Sequence, residues 1–381
     1  MKKPVKIALI ILAVLLAAAA AVWAVTRSPQ TPAEQHAEPT GGAPAGTRPP
    51  GESFFEAHFI NVGEADAALV ICDGHAMLID GGNSSDSRRV YSYIKNHFVE
   101  HLDYVVGTHS DEDHIGGIPG ALVWASAGKV YCSSDKGGTK AFENFVKYVK
   151  KRGLSITVPK AGERFYLGSA EVSVLGPTAF SNDPNNDSIV LRIVYGKTSF
   201  LFTGDMEREE EQDILASGAE LKSTVLKVAH HGSNSSTSYP FLREVMPEYA
   251  VISVGENQYG HPTEQVLSRL RDAGARVLRT DMQGHIVLRS DGRRVTAEVQ
   301  RNEGADTLAA STPAPTAPPR TSPTESEAGE GDYVLNVKTG KFHYPSCPSA
   351  AEISEANRRE FSGSREELVG MGYEPCKRCR P

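Results

Sequence analysis

Directly behind an apolar run at residues 102–107 stands Thr108-His109-Ser110-Asp111-Glu112-Asp113-His114-Ile115-Gly116-Gly117. This burst of imidazole and carboxylate at the end of a strand-like segment constrains the fold more than any other feature. Ligands at i and i+2, His109 and Asp111, can point into one pocket, while those at i+4 and i+5, Asp113 and His114, turn into a neighbouring one. The glycine pair then lets the backbone swing into a helix-like stretch at 118–126. Such a density suits two ions of zinc, manganese or iron a few Å apart, able to activate a water and to clamp both oxygens of a displaced ester. A solvated acidic loop with incidental histidines fits the spacing and the strand-loop-helix setting poorly.

The surrounding chain alternates β-rich runs (67–71, 172–175, 189–195, 199–202, 224–229, 250–254, 276–279, 285–289) with helix-like segments (87–97, 139–151, 208–216, 263–273), the pattern of α/β layering. At 381 residues and 40% apolar content, one sizeable core with appendages is expected. The net charge of −7 gives no general pull toward nucleic acid, so any such contact needs a local basic patch. Five cysteines are too few for a disulfide scaffold, and three of them, Cys347, Cys376 and Cys379, lie near the end.

Lys2, Lys3 and Lys6 precede an apolar run at 7–25, about 28 Å long as a helix, which matches a hydrocarbon core. Residues 1–27 read equally as a signal anchor or a cleaved signal peptide, with the lysines keeping the start in the cytoplasm and the remainder outside. The expected location is therefore the cell membrane, single-pass with the later domains extracellular, or secretion. Residues 28–52 and 302–331 are rich in Pro, Ala, Thr, Gly and Glu. They have too little apolar surface to offset chain entropy, so both are expected to be disordered linkers. They bracket a large domain at 53–301 and a small one at 332–381.

The segment 108–114 resembles the HxHxDH signature of the metallo-β-lactamase superfamily, with Asp111 at the second His, as in the hydrolase domain of ComEC-type competence proteins. Residues 59–67 resemble that family's opening strand, with Glu64-Ala65 in place of the usual Gln-Gly, and 77–82 resemble its second. Asn186-Asp187-Ser188, 201–205, 227–233 and 259–262 complete the series. The resemblance covers about 54–299 and implies an αββα sandwich. Asp205 closes the run 199–202 at a Thr-Gly turn. By position it is equally a helix N-cap or a ligand, and the resemblance makes it the bridge between two metals.

His230 and His231 follow the run 224–229, and at least one is expected to ligate. His230 is slightly favoured, with His231 contacting substrate or supporting a ligand. His261 can protonate a leaving oxygen or bind phosphate. The metal ligands expected in the large domain are thus His109, Asp111, Asp113, His114, Asp205 and His230, with Asp113, His231 and His261 as catalytic candidates. Two divalent ions against three ionised aspartates leave +1, and Asp111 in place of His makes the site harder and more tolerant of Mn²⁺. No Ser or Cys has a nucleophile-elbow setting, so activated water is the expected nucleophile.

In the small domain, His343-x-x-x-Cys347 and Cys376-x-x-Cys379 form a closed four-ligand set, expected to hold one structural zinc without which so small a module would not fold. A redox pair of Cys376 and Cys379 is the competing reading. The segment resembles the Ada-type metal-binding domain, with His343 where that family has its first Cys. That departure removes the methyl-accepting thiolate and any implied repair chemistry. Lys338, Lys341, Arg358, Arg359, Arg365, Lys377, Arg378 and Arg380 make the tail basic enough for phosphate contacts or for a merely solvated face. The expected function is that of an exported binuclear phosphodiesterase acting on DNA. The alternatives are a hydrolase of a small phosphodiester such as a phosphocholine ester, or a non-catalytic DNA-binding component of an uptake apparatus. Nothing in the sequence indicates a protein partner.

Overall fold

The computed structural model describes residues 54–309 apart from 182, and 331–381 apart from 346, 364, 366, 367, 369–372, 377 and 380. The expected membrane segment, the first linker and most of the second lie outside the described residues. Among those described, no helix is long and apolar enough to cross a membrane.

Two sheets form the body. The first contains β1 (Phe55–Phe59), β2 (Ala68–Cys72), β3 (His75–Ile79), β4 (His101–Gly107), β5 (Ser126–Cys132) and β6 (Ile156–Thr157). The second contains β7 (Arg164–Leu167), β8 (Ala170–Gly176), β9 (Val190–Tyr195), β10 (Thr198–Phe202), β11 (Val225–Lys227), β12 (Tyr249–Ile252) and β13 (Arg276–Arg279). The chain then returns to the first sheet with β14 (Ile286–Ser290) and β15 (Val295–Val299). The strand orders are β15-β14-β1-β2-β3-β4-β5-β6 and β13-β12-β11-β10-β9-β8-β7. In both, an antiparallel half passes into a parallel one, which begins at the β3–β4 pair in the first sheet and the β10–β11 pair in the second.

Three apolar layers explain the stacking. Phe55, Phe59, Val70, Met77, Leu191, Phe200, Phe202 and Leu288 fill the space between the sheets. On the outer face of the first sheet, Leu69, Leu78, Val105 and Val130 meet Val90, Ile94, Ile118, Phe142 and Phe145 from the helices Ser87–Asn96, Ile118–Trp124 and Lys140–Lys151. On the outer face of the second, Leu201, Leu226, Ala250 and Val277 meet Ile214, Phe241, Leu242, Val266 and Leu270 from Arg208–Ser217, Tyr239–Val245 and Glu264–Asp272. Strands covered on both faces carry nearly unbroken apolar runs, and β10 is buried along its whole length. The arrangement is the expected αββα sandwich.

Several boundaries differ from expectation. The strand expected at 59–67 ends at Phe59, and residues 60–67 form the loop behind it. The helix expected to run to 126 stops at Trp124, and Ser126 opens β5. Residues 304–309, expected in the linker, pack on the body: Thr307 is buried with its hydroxyl donating to Val277 O, and Arg279 Nη1 donates to Ala309 O.

The small domain is a four-stranded sheet with the order β18-β16-β17-β19: β16 (Gly331–Asn336), β17 (Lys341–His343), β18 (Arg358–Gly363) and β19 (Glu374–Pro375). Tyr333, Leu335, Phe342 and Leu368 form one apolar cluster; Val334, Cys347, Ala350, Ile353 and Cys376 form the other.

Candidate metal centre

The carboxyl ends of the parallel strands from both sheets meet at one place, where an α/β architecture offers loops and unsatisfied ends to a ligand. Behind β4 come His109, Asp111, Asp113 and His114; behind β10, Asp205; behind β11, His230 and His231; behind β12, Ser253. The glycines at the turn behind β4 matter through close approach: a Cβ on Gly117 would lie 1.9 Å from Gly81 O, so only glycine lets this turn press on the loop after β3.

Asp113, His114, Asp205 and His231 bring one donor atom each to within 4.8 Å of one another. Asp205 Oδ2 is 3.3 Å from His114 Nε2 and 3.5 Å from His231 Nε2, and Asp113 Oδ2 is 3.4 Å from His231 Nε2. His109 lies beside His114, ring centroids 4.0 Å apart and planes tilted by 49°, with Nε2 3.8 Å from Asp111 Oδ2. Asp111 stands at the rim, its side chain 48% exposed. An inner set (Asp113, His114, Asp205, His231) and an outer pair (His109, Asp111) therefore share the neighbourhood of Asp205.

The choice between the tandem histidines goes against the expectation. His231, not His230, joins the inner set. Both adopt left-handed backbone (φ 50°, ψ 48° and φ 51°, ψ 20°), which non-glycine residues do at a cost of order 1–3 kcal/mol and mostly at functional sites. The turn buries His231 and leaves His230 partly exposed, its Nδ1 3.2 Å from Glu207 Oε1 and its Nε2 3.8 Å from Asp205. Asp205 is not a helix cap either. The helix Arg208–Ser217 begins behind Glu207, and Asn186 Oδ1 accepts the Glu207 N–H at 3.1 Å.

The imidazoles are tethered in a common way, each held through Nδ1. His114 Nδ1 is 3.0 Å from Asp80 Oδ2, whose carboxylate also accepts from Thr108 N and Oγ1 at 2.8 Å. His231 Nδ1 donates to Ser253 O at 3.0 Å, and His109 Nδ1 faces Ser188 Oγ at 3.4 Å. Behind this layer Lys227, buried, places Nζ 2.7 Å from Asp66 Oδ2 and donates to Val228 O. Asp66 Oδ1 lies 3.6 Å from His231 Nδ1. Fixing Nδ1 selects the tautomer and aims Nε2 inward, the outer-layer device of metal-binding histidines.

Four buried atoms, His109 Nε2, His114 Nε2, His231 Nε2 and Asp205 Oδ1, have no hydrogen bond among the described residues. Buried polar atoms left so are costly, and such atoms on His114, Asp205 and His231, three members of the inner set, and on the neighbouring His109 fit cation ligands. The electrostatics agree. Burial pushes Asp113 and Asp205 up, yet His114 and His231 hold both below the usual carboxylate range, Asp113 at about 2. Against burial, Asp205 and Asp113 lift His231 to about 9, and Asp205, Asp80 and Asp113 lift His114 well above its ordinary value. Burial and the charge of His114 depress His109 to about 3. Carboxylates that pull protons onto two buried imidazoles would pull divalent cations by the same field.

The expectation for Asp111 is tested by Asp111→His, which should retain two ions in the large domain and shift their relative affinity from Mn²⁺ toward Zn²⁺ by about tenfold, or ~1.4 kcal/mol, as a hard oxygen gives way to a softer nitrogen. Competitive titration measures it; equal preference in both proteins would remove the charge argument.

The small domain brings its four expected ligands together as well. His343, Cys347, Cys376 and Cys379 lie within 4.8 Å of one another, with no disulfide and with His343 Nδ1 buried without a hydrogen-bond partner among the described residues. Arg378 N–H donates to Cys376 Sγ at 3.4 Å. Although burial pushes that thiol up, N–H groups of Cys379 and Arg378 bring it below its ordinary value, while burial lifts Cys379 to about 11.

The sequence profile of the Metallo-beta-lactamase superfamily matches residues 60–256, which hold the whole inner set and the outer pair. The chain belongs to this superfamily. Its members are in general metal-dependent hydrolases. Similar curated proteins are ComE operon protein 3 of Bacillus subtilis, 31% identical over 64% of this chain and 34% of its own length, and competence protein ComA of Neisseria gonorrhoeae, 33% identical over 59% and 30%. Recombination protein 2 of Haemophilus influenzae is 27% identical over 60% and 28%. The chain thus spans about a third of the length of these relatives. Among solved structures, the metallo-beta-lactamase fold protein YhfI from Bacillus subtilis aligns with a TM-score of 0.45 at 12% identity, covering 62% of this chain and 100% of that one.

Residues that sequence reasoning did not place at the centre are Asp66, Asp80, Lys227 and Ser253. Asp80 had a readable signal, a lone carboxylate between an apolar strand and a glycine pair. Ser253 acts through its backbone carbonyl and had none.

Proposed function

We propose that this superfamily member is a binuclear metal-dependent phosphodiesterase of DNA, acting outside the membrane behind the apolar segment 7–25. The meeting of Asp113, His114, Asp205 and His231 from both sheets, with donor atoms within 4.8 Å of one another, carries the reading. Asp113, His114, Asp205 and His231 would hold one divalent ion, and His109, Asp111 and Asp205 the other, zinc or manganese. Bound ions would supply charge neutralisation for the phosphoryl oxygens and an activated water. The protein's own part is to keep each Nε2 aimed inward through Asp80, Ser253 and Ser188, to keep the cluster dry against the inter-sheet core, and to present His261 at the rim. The kinship with proteins named for competence and recombination supports DNA as substrate. In the small domain, His343, Cys347, Cys376 and Cys379 would hold a structural zinc and display a basic tail to phosphates.

The net charge of −7 favours a second reading, a small phosphodiester that needs no basic groove. Metal analysis of the purified protein, with turnover of bis-p-nitrophenyl phosphate, single- and double-stranded DNA, a phosphocholine ester and nitrocefin, tests both. Two ions in the large domain and cleavage of DNA are expected. Cleavage of the small ester without DNA would favour the second reading, and nitrocefin hydrolysis alone would overturn both.

A further inference from the structure

Glu64 stands where the resembling family has Gln, in the loop between β1 and β2, and its carboxylate reaches across to the other sheet. Oε1 lies 3.1 Å from His261 Nδ1, and Oε2 accepts the Gly255 N–H at 3.0 Å. The two loops touch so closely that a Cβ on Gly255 would sit 2.5 Å from Glu64 N. Asn257 braces the rest: its Oδ1 accepts His261 N–H at 3.0 Å, and its Nδ2 donates to Gly255 O at 2.9 Å and His261 O at 2.8 Å. His261 and Glu64 are 12% and 15% exposed at their side chains, sheltered enough for the pair to be strong and open enough for His261 to meet a ligand. The His261 ring centroid is 5.8 Å from that of His230, whose Nε2 is 3.8 Å from Asp205. One imidazole therefore separates His261 from the shared carboxylate of the metal cluster.

We propose that Glu64 is a positioning residue that makes His261 the acid for the departing oxygen, and that this pair directs the enzyme to unactivated alkyl phosphodiesters, the linkage of a nucleic-acid backbone. The inference rests on the phosphodiesterase reading above. As the oxygen of the attacking water bonds to phosphorus, the bond from phosphorus to the sugar oxygen breaks and its electron pair stays on that oxygen. His261 Nε2 gives it a proton; the water's own proton goes to solvent, from which His261 is reprotonated. One water is consumed and one phosphomonoester and one alcohol form. The carboxylate on Nδ1 holds the ring in one orientation, so that Nε2 serves the transfer. Glutamine would replace one of the two acceptor oxygens with an NH₂ donor, which would face either His261 Nδ1–H or the Gly255 N–H donor to donor.

The test uses full-length, metal-loaded protein on two substrates. Thymidylyl-thymidine needs its leaving alkoxide protonated; thymidine 5′-(p-nitrophenyl phosphate) releases a stable phenolate. Glu64→Gln should lower kcat on the dinucleotide by about 10- to 100-fold and on the nitrophenyl ester by about threefold at most, with KM little changed. His261→Gln should show the same split, and the double variant little more than either single one. Partial misfolding would lower both substrates together, so the ratio carries the result. Equal losses on the two substrates, or none on the dinucleotide, would overturn the proposal while leaving the phosphodiesterase reading intact. If the wild-type protein cleaves neither ester, that reading falls and takes the proposal with it.

Discussion

Asp205→Ala should lower hydrolysis by at least about a thousandfold, on the order of 4 kcal/mol in the barrier, and strip the large domain of most of its metal. Asp205 is buried, and among the described residues it alone approaches His114, His230 and His231 together, at 3.3, 3.8 and 3.5 Å. Without it the inner set keeps two imidazoles and one carboxylate, and the outer pair loses its shared neighbour. The fold should survive, because the apolar layers on both sides of the second sheet do not include this side chain. Metal analysis, steady-state turnover and thermal melting check the three statements separately. Full metal content with unchanged turnover would refute the assignment.

Cys376→Ser should remove one zinc per chain and unfold the small domain while the body keeps its melting transition. The domain's apolar clusters hold only a handful of side chains each, and ligands of such modules contribute of the order of 10 kcal/mol of folding free energy through the metal. Hydrogen exchange on the full chain should show protection lost across β16 to β19 and retained in β4 and β10. A chelator should reproduce the result in the wild type. Protected strands in the metal-free protein would mean that the sheet stands on its own core, and the four ligands would need another purpose.

Much of this was legible because residue type, spacing and strand ends coincide. His109, Asp111, Asp113 and His114 follow one strand within a few residues, so local chemistry sufficed. The run 276–279 matches β13 at both ends, and the helix expected at 139–151 starts one residue later, behind a Thr139 hydroxyl that caps Phe142 N–H. Other features depend on three dimensions. Whether His230 or His231 turns inward is decided by two left-handed residues in succession, which no periodicity encodes. β5 opens with Ser126, Ala127 and Gly128, too small and too exposed to read as a strand. Glu64 and His261 are far apart in the chain, so their pairing had no local signal, and the substitution of Glu for Gln was visible without its partner.

The halves of the sandwich meet at the centre from opposite sides: His109, Asp113 and His114 leave the first sheet, Asp205 and His231 the second. An ion bound between them is also a rivet through the molecule. Sliding one sheet past the other would break coordination bonds before it exposed the apolar seam, so resistance to shear and loading with metal become one variable. By mass action an ion at a hundred times its Kd would add about 2.7 kcal/mol to the folded state. A protein built this way would be toughest where metal is plentiful, and scarcity would loosen its two halves at the same place where it would silence the chemistry.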